Sequence, residues 1–244
     1  MYLCHEYFSW IMNYKNLFHI IVILSLIACE RKVVKTQIIE TWPNNKIKTL
    51  HEYFNVRDSS FREIEFYESG KIKSRFYYQD RKIEGLAIGF FENGDTAQIT
   101  HFHKGLKDGL EKTWYSSGEL WSEYIFEGGR KISGNHFFRN GQPTATLRFK
   151  DGYVVWGEYY HPNGKVRSTG SIHENQKTGF WNYYYQNGTK KESGSYLEGE
   201  KHGIWEYYHE TGNLKEMGEY DEGKKIGVWQ EFDEEGNLIH DIYF

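Results

Sequence analysis

From about residue 60 to the end of the chain, apolar and polar residues alternate in short arms, as in Leu86, Ile88 and Phe90, or in Ile204 and Tyr208 with Glu206 between them. A two-residue period puts one set of side chains on each face of a strand. A glycine or asparagine interrupts every seven to eleven residues, too often for a helix, and the arms are rich in Tyr, Phe, Trp, Ile and Thr, which favour a pleated surface. The pattern predicts strands joined by short turns.

The punctuation keeps a beat. Gly70, Gly94, Gly118, Gly141, Gly164, Gly188, Gly212 and Gly236 follow one another at steps of 24, 24, 23, 23, 24, 24 and 24 residues. Four residues before each stands an aromatic, from Phe66 to Phe232, and eight residues after each stands Tyr78, Phe102, Phe126, Phe149, Ile172, Tyr196, Tyr220 or Phe244. A second small residue comes eleven after the glycine (Gly105, Gly129, Gly152, Asn175, Gly199, Gly223), and often a third comes four further on (Gly109, Gly179, Gly203, Gly227). Each unit therefore has two turns and two arms. The first turn carries Asn-Gly pairs such as Asn163-Gly164 and Asn187-Gly188, which tolerate the positive φ that tight hairpins demand.

The expected fold is all-β, an elongated single-sheet antiparallel meander of tandem β-hairpin repeats with about eight units of 23–24 residues. A weaker unit precedes the regular ones: Asn45 lies 25 residues before Gly70, and Lys46-Ile47-Lys48 echoes Lys71-Ile72-Lys73. The repeat domain is accordingly expected to occupy residues 44–244, opening on an irregular capping unit.

The leader reads differently. Leu17 to Ala28 is an apolar run of 12 residues behind Lys15, too short to span a bilayer as a helix but suited to a signal-peptide core, so residues 1–28 are expected to be removed. Leu26-Ile27-Ala28-Cys29 resembles the bacterial lipobox, which makes Cys29 the lipidated first residue of the mature chain and residues 29–43 a polar spacer. The expected location is the bacterial cell envelope, lipid-anchored to the outer membrane; an uncleaved anchor helix is the alternative, and both tether the protein. A start at Met12 gives a short n-region carrying Lys15 and removes Cys4, leaving Cys29 alone with no internal disulfide.

Composition sharpens the picture in two places. Aromatics make up 18% of residues, and a meander with no second layer must bury area within its own sheet, where cross-strand ring pairs contribute about 0.2–1 kcal/mol each. A formal charge of -4 with both signs interspersed lacks the net basic face that a nucleic acid requires.

Candidate chemistry is sparse. His101 and His103 lie two apart on a predicted strand, half of a metal site with no third ligand at a useful spacing. Carboxylates such as Glu206, Glu219, Asp221 and Glu222 are too numerous to single out a catalytic pair and read as a solvated face. No G-x-S-x-G elbow, P-loop, H-E-x-x-H helix or Cys-His pairing occurs, and Ser69, Ser117 and Ser193 fall in turn or strand register. The expectation is a non-enzymatic chain with no cofactor and no metal.

Two rows are better candidates for a binding surface. Lys107, Lys131, Lys177, Lys201 and Lys225 stand thirteen residues after the turn glycine, in the second loop, where they would line one edge and meet phosphates or an acidic partner, or remain solvated and keep the edge soluble. Trp181, Trp205 and Trp229 alternate away from Tyr184, Tyr208 and Phe232. They read either as a stripe that stacks on sugars or grips a protein, or as a ladder that packs repeat on repeat; a ladder buries each indole, a stripe leaves the ring faces open.

Segments such as Glu198-Gly199-Glu200-Lys201-His202-Gly203-Ile204-Trp205-Glu206-Tyr207-Tyr208, followed by Thr211-Gly212-Asn213-Leu214-Lys215, resemble the bacterial variant of the MORN repeat. The resemblance covers roughly residues 60–244 and is most faithful from Gly164 onward, whereas Asn135 and Glu158 stand in for the tryptophan in the two 23-residue units. It implies a β-hairpin array without intrinsic enzymatic activity. Expected functions are a protein-binding scaffold, an antitoxin-like role of the kind often attached to this family, or carbohydrate or peptidoglycan binding through the aromatic stripe.

Overall fold

The computed structural model describes residues 32–55 and 59–244, so the apolar run and Cys29 lie outside the described residues. The described chain is all strand: β1 (Lys35–Thr41), β2 (Ile47–Tyr53), β3 (Phe61–Phe66), β4 (Ile72–Gln79), β5 (Lys82–Ile83), β6 (Gly85–Phe90), β7 (Thr96–His103), β8 (Leu106–Trp114), β9 (Leu120–Glu127) and β10 (Arg130–Phe137). It continues through β11 (Pro143–Lys150), β12 (Tyr153–Tyr160), β13 (Val166–His173), β14 (Gln176–Tyr184), β15 (Lys190–Leu197), β16 (Glu200–Tyr208), β17 (Leu214–Asp221), β18 (Lys224–Phe232) and β19 (Leu238–Tyr243). All belong to one antiparallel sheet in which each strand pairs with its chain neighbours, β5 and β6 sharing one place beside β4. The expected single-sheet meander is what forms, with β1 and β19 as its open edges.

The sheet begins earlier than expected. Residues 35–41, read as spacer, pair with β2 across a turn in which Asn45 takes the glycine's place at φ 62. All seven residues of β1 are exposed, so neither face selects an apolar set and the two-residue period is missing from its sequence.

Nine first turns share one geometry. At Gly188, Tyr185 N–H donates to Thr189 O at 2.9 Å and Gly188 N–H donates to Tyr185 O at 2.9 Å, which is a three-residue loop closed by a left-handed glycine at φ 94. Asn187 is not among the positive-φ residues, contrary to the reading of Asn-Gly as a left-handed pair. Its Oδ1 instead accepts the Thr189 N–H at 2.8 Å, while its Nδ2 donates to Glu210 O of the next unit at 3.2 Å. The two-residue turns with positive φ at both positions are the second loops, such as Glu198-Gly199 and Glu222-Gly223.

Both rows of turns are stitched from unit to unit. On the first-turn side Tyr185 Oη donates to Tyr208 O at 2.8 Å, and the ring nitrogens of His161 and His209 bond the carbonyls of Tyr184 and Phe232 at 2.9 and 3.0 Å. On the other side Gly199 N–H donates to Lys177 O at 3.1 Å and Gly223 N–H to Lys201 O at 3.0 Å. Stability therefore accumulates between neighbouring repeats, as in other one-dimensional arrays.

Replacing Gly212, at φ 102, with valine is expected to destabilise its hairpin by about 1 kcal/mol or more, whereas Gly212→Asn retains most of the stability because Asn45 already holds this turn. Thermal melts check both, and an unchanged melting temperature for the valine variant contradicts the turn assignment.

Candidate functional site

The most ordered chemistry lies on one face of the C-terminal half. Trp181 on β14 stands opposite Gly170 on β13 and Gly194 on β15, and Trp205 on β16 opposite Gly194 and Gly218. A Cβ on Gly170, Gly194 or Gly218 would come within 3.0 Å of the indole of Trp181, Trp205 or Trp229 respectively, so each ring lies flat where its neighbour has no side chain. Tyrosines close the flanks: Tyr196 meets Trp205 edge-on at 5.1 Å and 86°, and Tyr220 meets Trp229 at 5.0 Å and 88°. The three indoles are 2%, 0% and 0% exposed. Their N–H groups donate to the carbonyls of Ser171, Ser195 and Glu219 at 2.9, 3.0 and 3.2 Å. Of the two readings of the tryptophan row, the ladder is what the structure contains, and none of these three indoles has a face open to stack on a sugar.

The register also corrects the reading of the 23-residue units. The ladder position in them is Gly134, paired with Tyr124, and Gly157, paired with Gly170, rather than Asn135 and Glu158. In 24-residue units two residues are looped out before the tryptophan, Gly203 and Ile204 for example; in β10 only Ile132 is, so the count from the turn slips by one. Tyr124 covers Gly134 and Tyr159 covers Gly157 in place of an indole.

The lysines do not reach outward from the second loop. Each is the second residue of its strand and folds back over the rings. Lys201 Nζ lies 3.8 Å from the Trp205 ring and near those of Tyr207 and Tyr220, and donates to Tyr207 Oη at 2.8 Å and to Glu192 at 3.0 Å. Lys225 covers Trp229 at 3.9 Å and pairs with Glu216; Lys107 covers Phe126 at 5.0 Å and pairs with Glu111. Lys131 lies 3.8 Å from the Tyr124 ring, and Lys177 is 4.9–5.0 Å from Trp181, Tyr183 and Tyr196. The correction has a physical cause: an ammonium on a four-carbon stem gains about 0.5–2 kcal/mol over a ring face, and the stem covers apolar surface that a single sheet would leave wet. Burial pushes the Tyr183 and Tyr207 hydroxyls above the ordinary phenol range, so within the cage they serve as neutral hydrogen-bonding groups.

Two grooves open on this surface. The larger, about 780 Å³, lies between Tyr159 and Tyr185 and is lined by Arg167, Ser168, Lys177, Trp181, Lys191, Glu192 and Glu210 among others. The smaller, about 390 Å³, is lined by Phe126, Gly129, Arg130, Lys131, Asp151 and Gly152. On the opposite face Phe180, Ile204 and Val228 form a third feature, 56%, 54% and 48% exposed, one residue before each tryptophan. Sequence reading missed this row, although its place sixteen residues after Gly164, Gly188 and Gly212 was visible.

His101 and His103 do not converge on a metal. His101 Nδ1 bonds Leu110 O at 2.9 Å, His103 Nδ1 bonds Glu84 at 3.0 Å, and no group of three ligand-type residues occurs among the described residues.

Residues 62–80, 107–127 and 201–222 match the MORN repeat variant family. Each match spans one hairpin across a first turn, which identifies the hairpin as the repeating unit. No curated protein sequence matches the chain significantly. Among solved structures, a GtfA/B complex is similar at 12% identity over 48% of this chain and 22% of that chain, with a TM-score of 0.30. The Glycosylation Associate Protein (Gap123) complex from Streptococcus agalactiae is similar at 13% identity over 57% of this chain and 23% of that one, with a TM-score of 0.28. Similarity at that level carries no functional argument.

Gly194→Ala is expected to destabilise the sheet by about 1–3 kcal/mol, because the new methyl drives into the Trp205 indole without altering a turn. Chemical denaturation measures it, and a variant as stable as the parent contradicts the packing described.

Proposed function

We propose that the array is a non-catalytic protein-binding scaffold tethered to the bacterial cell envelope by a lipid on Cys29. The observation that supports it is the row of Phe180, Ile204 and Val228, large apolar side chains held half exposed on the face that carries no tryptophan ladder. Alternate strands of a sheet lie about 10 Å apart. Seven residues of a helix advance by about the same distance, so an amphipathic helix laid across the strands sets one apolar residue on each member of the row. Solitary exposed apolar residues need no explanation, but a spaced row of three is the pattern of an interaction surface. The tether rests on the apolar run and lipobox of residues 17–29, which give the scaffold a fixed address and leave the sheet free to display its surface.

A photo-crosslinking residue placed at 204 in the native cell is expected to give a protein adduct that is absent when the same residue replaces Lys215, and Ile204→Asp is expected to dissolve that complex without lowering the melting temperature. Failure of positions 180, 204 and 228 all to crosslink contradicts the docking surface. Separately, Cys29→Ala is expected to abolish metabolic labelling with a fatty acid; a variant that still takes up label overturns the tether.

A further inference from the structure

The lysine row contains its own control. Lys201 and Lys225 each hold a carboxylate nine residues earlier in the chain, Glu192 and Glu216, on the preceding strand. The same step back from Lys177 reaches Ser168, and from Lys131 it reaches Ser122. Register confirms the equivalence, since Ser168 faces Tyr183 as Glu192 faces Tyr207. From Lys107 the same step reaches Gln98, but Lys107 draws on Glu111 instead and lines neither groove; the two lysines left with no carboxylate partner, Lys131 and Lys177, are the two that line them.

From this correspondence we propose that the groove beside Lys177 is a binding site for a ligand carrying a carboxylate on a flat apolar body, the carboxylate occupying the place that Glu192 and Glu216 fill in the next two repeats. Lys177 is half withdrawn from water, and its ammonium donates to Tyr183 Oη at 2.6 Å with no carboxylate in contact. Burial lowers its proton affinity; the Glu192 carboxylate, already held by Lys201, offsets part of this, while Lys201 and Arg167 lower it further, and an arriving anion relieves the net deficit. Arg167, 5.9 Å above the Tyr159 ring, and Lys191, 5.8 Å from that of Tyr185, also line the groove and make no ion pair. Two carboxylates border it: Glu192 is engaged by Lys201 at 3.0 Å, and Glu210 stands at the turn end of the groove, one uncommitted carboxylate against three cations. The rings of Tyr159, Tyr183, Tyr184 and Tyr185 give the groove the aromatic walls against which a flat apolar body can lie. The three cations favour an anion, and the slot left by one Glu side chain is cut for a planar carboxylate rather than a tetrahedral phosphate.

The probe is benzoate, titrated into the full chain while tryptophan fluorescence and calorimetric heat are followed, with benzamide and phenyl phosphate as comparators at matched ionic strength. Benzoate is expected to bind and benzamide not to; Lys177→Met weakens binding at least tenfold, and Ser168→Glu abolishes it while raising the melting temperature by supplying the missing carboxylate internally. A free acid and an acidic side chain of a docked protein share this group, and a blocked aspartyl-phenylalanine amide titrated in parallel assigns the source by binding more or less tightly than benzoate. Benzoate binding that survives Lys177→Met, phenyl phosphate binding more tightly than benzoate, or no binding at all overturns the site. The Ser168→Glu melting temperature reads the vacancy independently of any ligand: no rise overturns the equivalence with Glu192. None of these outcomes bears on crosslinking at position 204.

Discussion

Everything on the ordered face depends on a large ring lying on a strand that has no side chain to oppose it. In a two-layer protein an indole is buried by the other layer; a single sheet must bury it against itself. Trp205 achieves this because Gly194 and Gly218 flank it across the ladder; Trp181 repeats the arrangement between Gly170 and Gly194, and Trp229 lies over Gly218 on one side with Ile242 paired on the other. Removing an indole's 150–250 Å² from water at about 25 cal/mol per Å² gives about 4–6 kcal/mol per ring, several times an ordinary cross-strand pair. The tyrosines beside each ring and the lysine above it finish excluding water, so one unit's core is completed by side chains of the next strand. No unit can be stable alone, and the two rows of hydrogen-bonded turns hold the spacing that makes the next unit fit.

How much of this was legible in the sequence follows from what each feature leaves behind. The turn glycines declared themselves because left-handed backbone excludes most side chains, so Gly188 or Gly212 cannot drift. Gly170, Gly194 and Gly218 recur at the same interval but have ordinary φ, and their requirement is the neighbouring ring, which appears only once strands are paired. The repeat register places the lysines at the right turn but is silent on their direction, since one dimension cannot say whether a long stem reaches into solvent or folds over Trp205. The inter-repeat staples had a readable trace: at six of the nine turns the position three before the turn residue is a ring with a donor, Trp42, Tyr67, Tyr115, His161, Tyr185 or His209, whereas Phe91, Phe138 and Asp233 hold it in the other three. The edge strand β1 left none, because with both faces wet its composition is unconstrained.

The two shorter units show how little is needed to change the surface. Losing one residue from the bulge moves the chain by one place before the ladder row, and glycine arrives where tryptophan stands elsewhere. Tyr124 and Tyr159 lean over the vacancy from two residues away or from the next strand, covering less than an indole does. The departure is therefore a local thinning of the face with the meander intact.

Repeats that satisfy every position, such as those around Lys201 and Lys225, neutralise their own charges, cover their own rings and offer little to a ligand. Openings arise where a position is left unmet, as where Ser168 stands for glutamate and Ile172 for tyrosine beside Lys177. The exposed row of Phe180, Ile204 and Val228 obeys the repeat and so supplies extent without address: any apolar partner of the right spacing fits it equally. On the proposed scaffold reading, an array that combines the two holds a partner along its length by what recurs and fixes its position by what does not, which would assign selectivity to the irregular units and avidity to the regular ones.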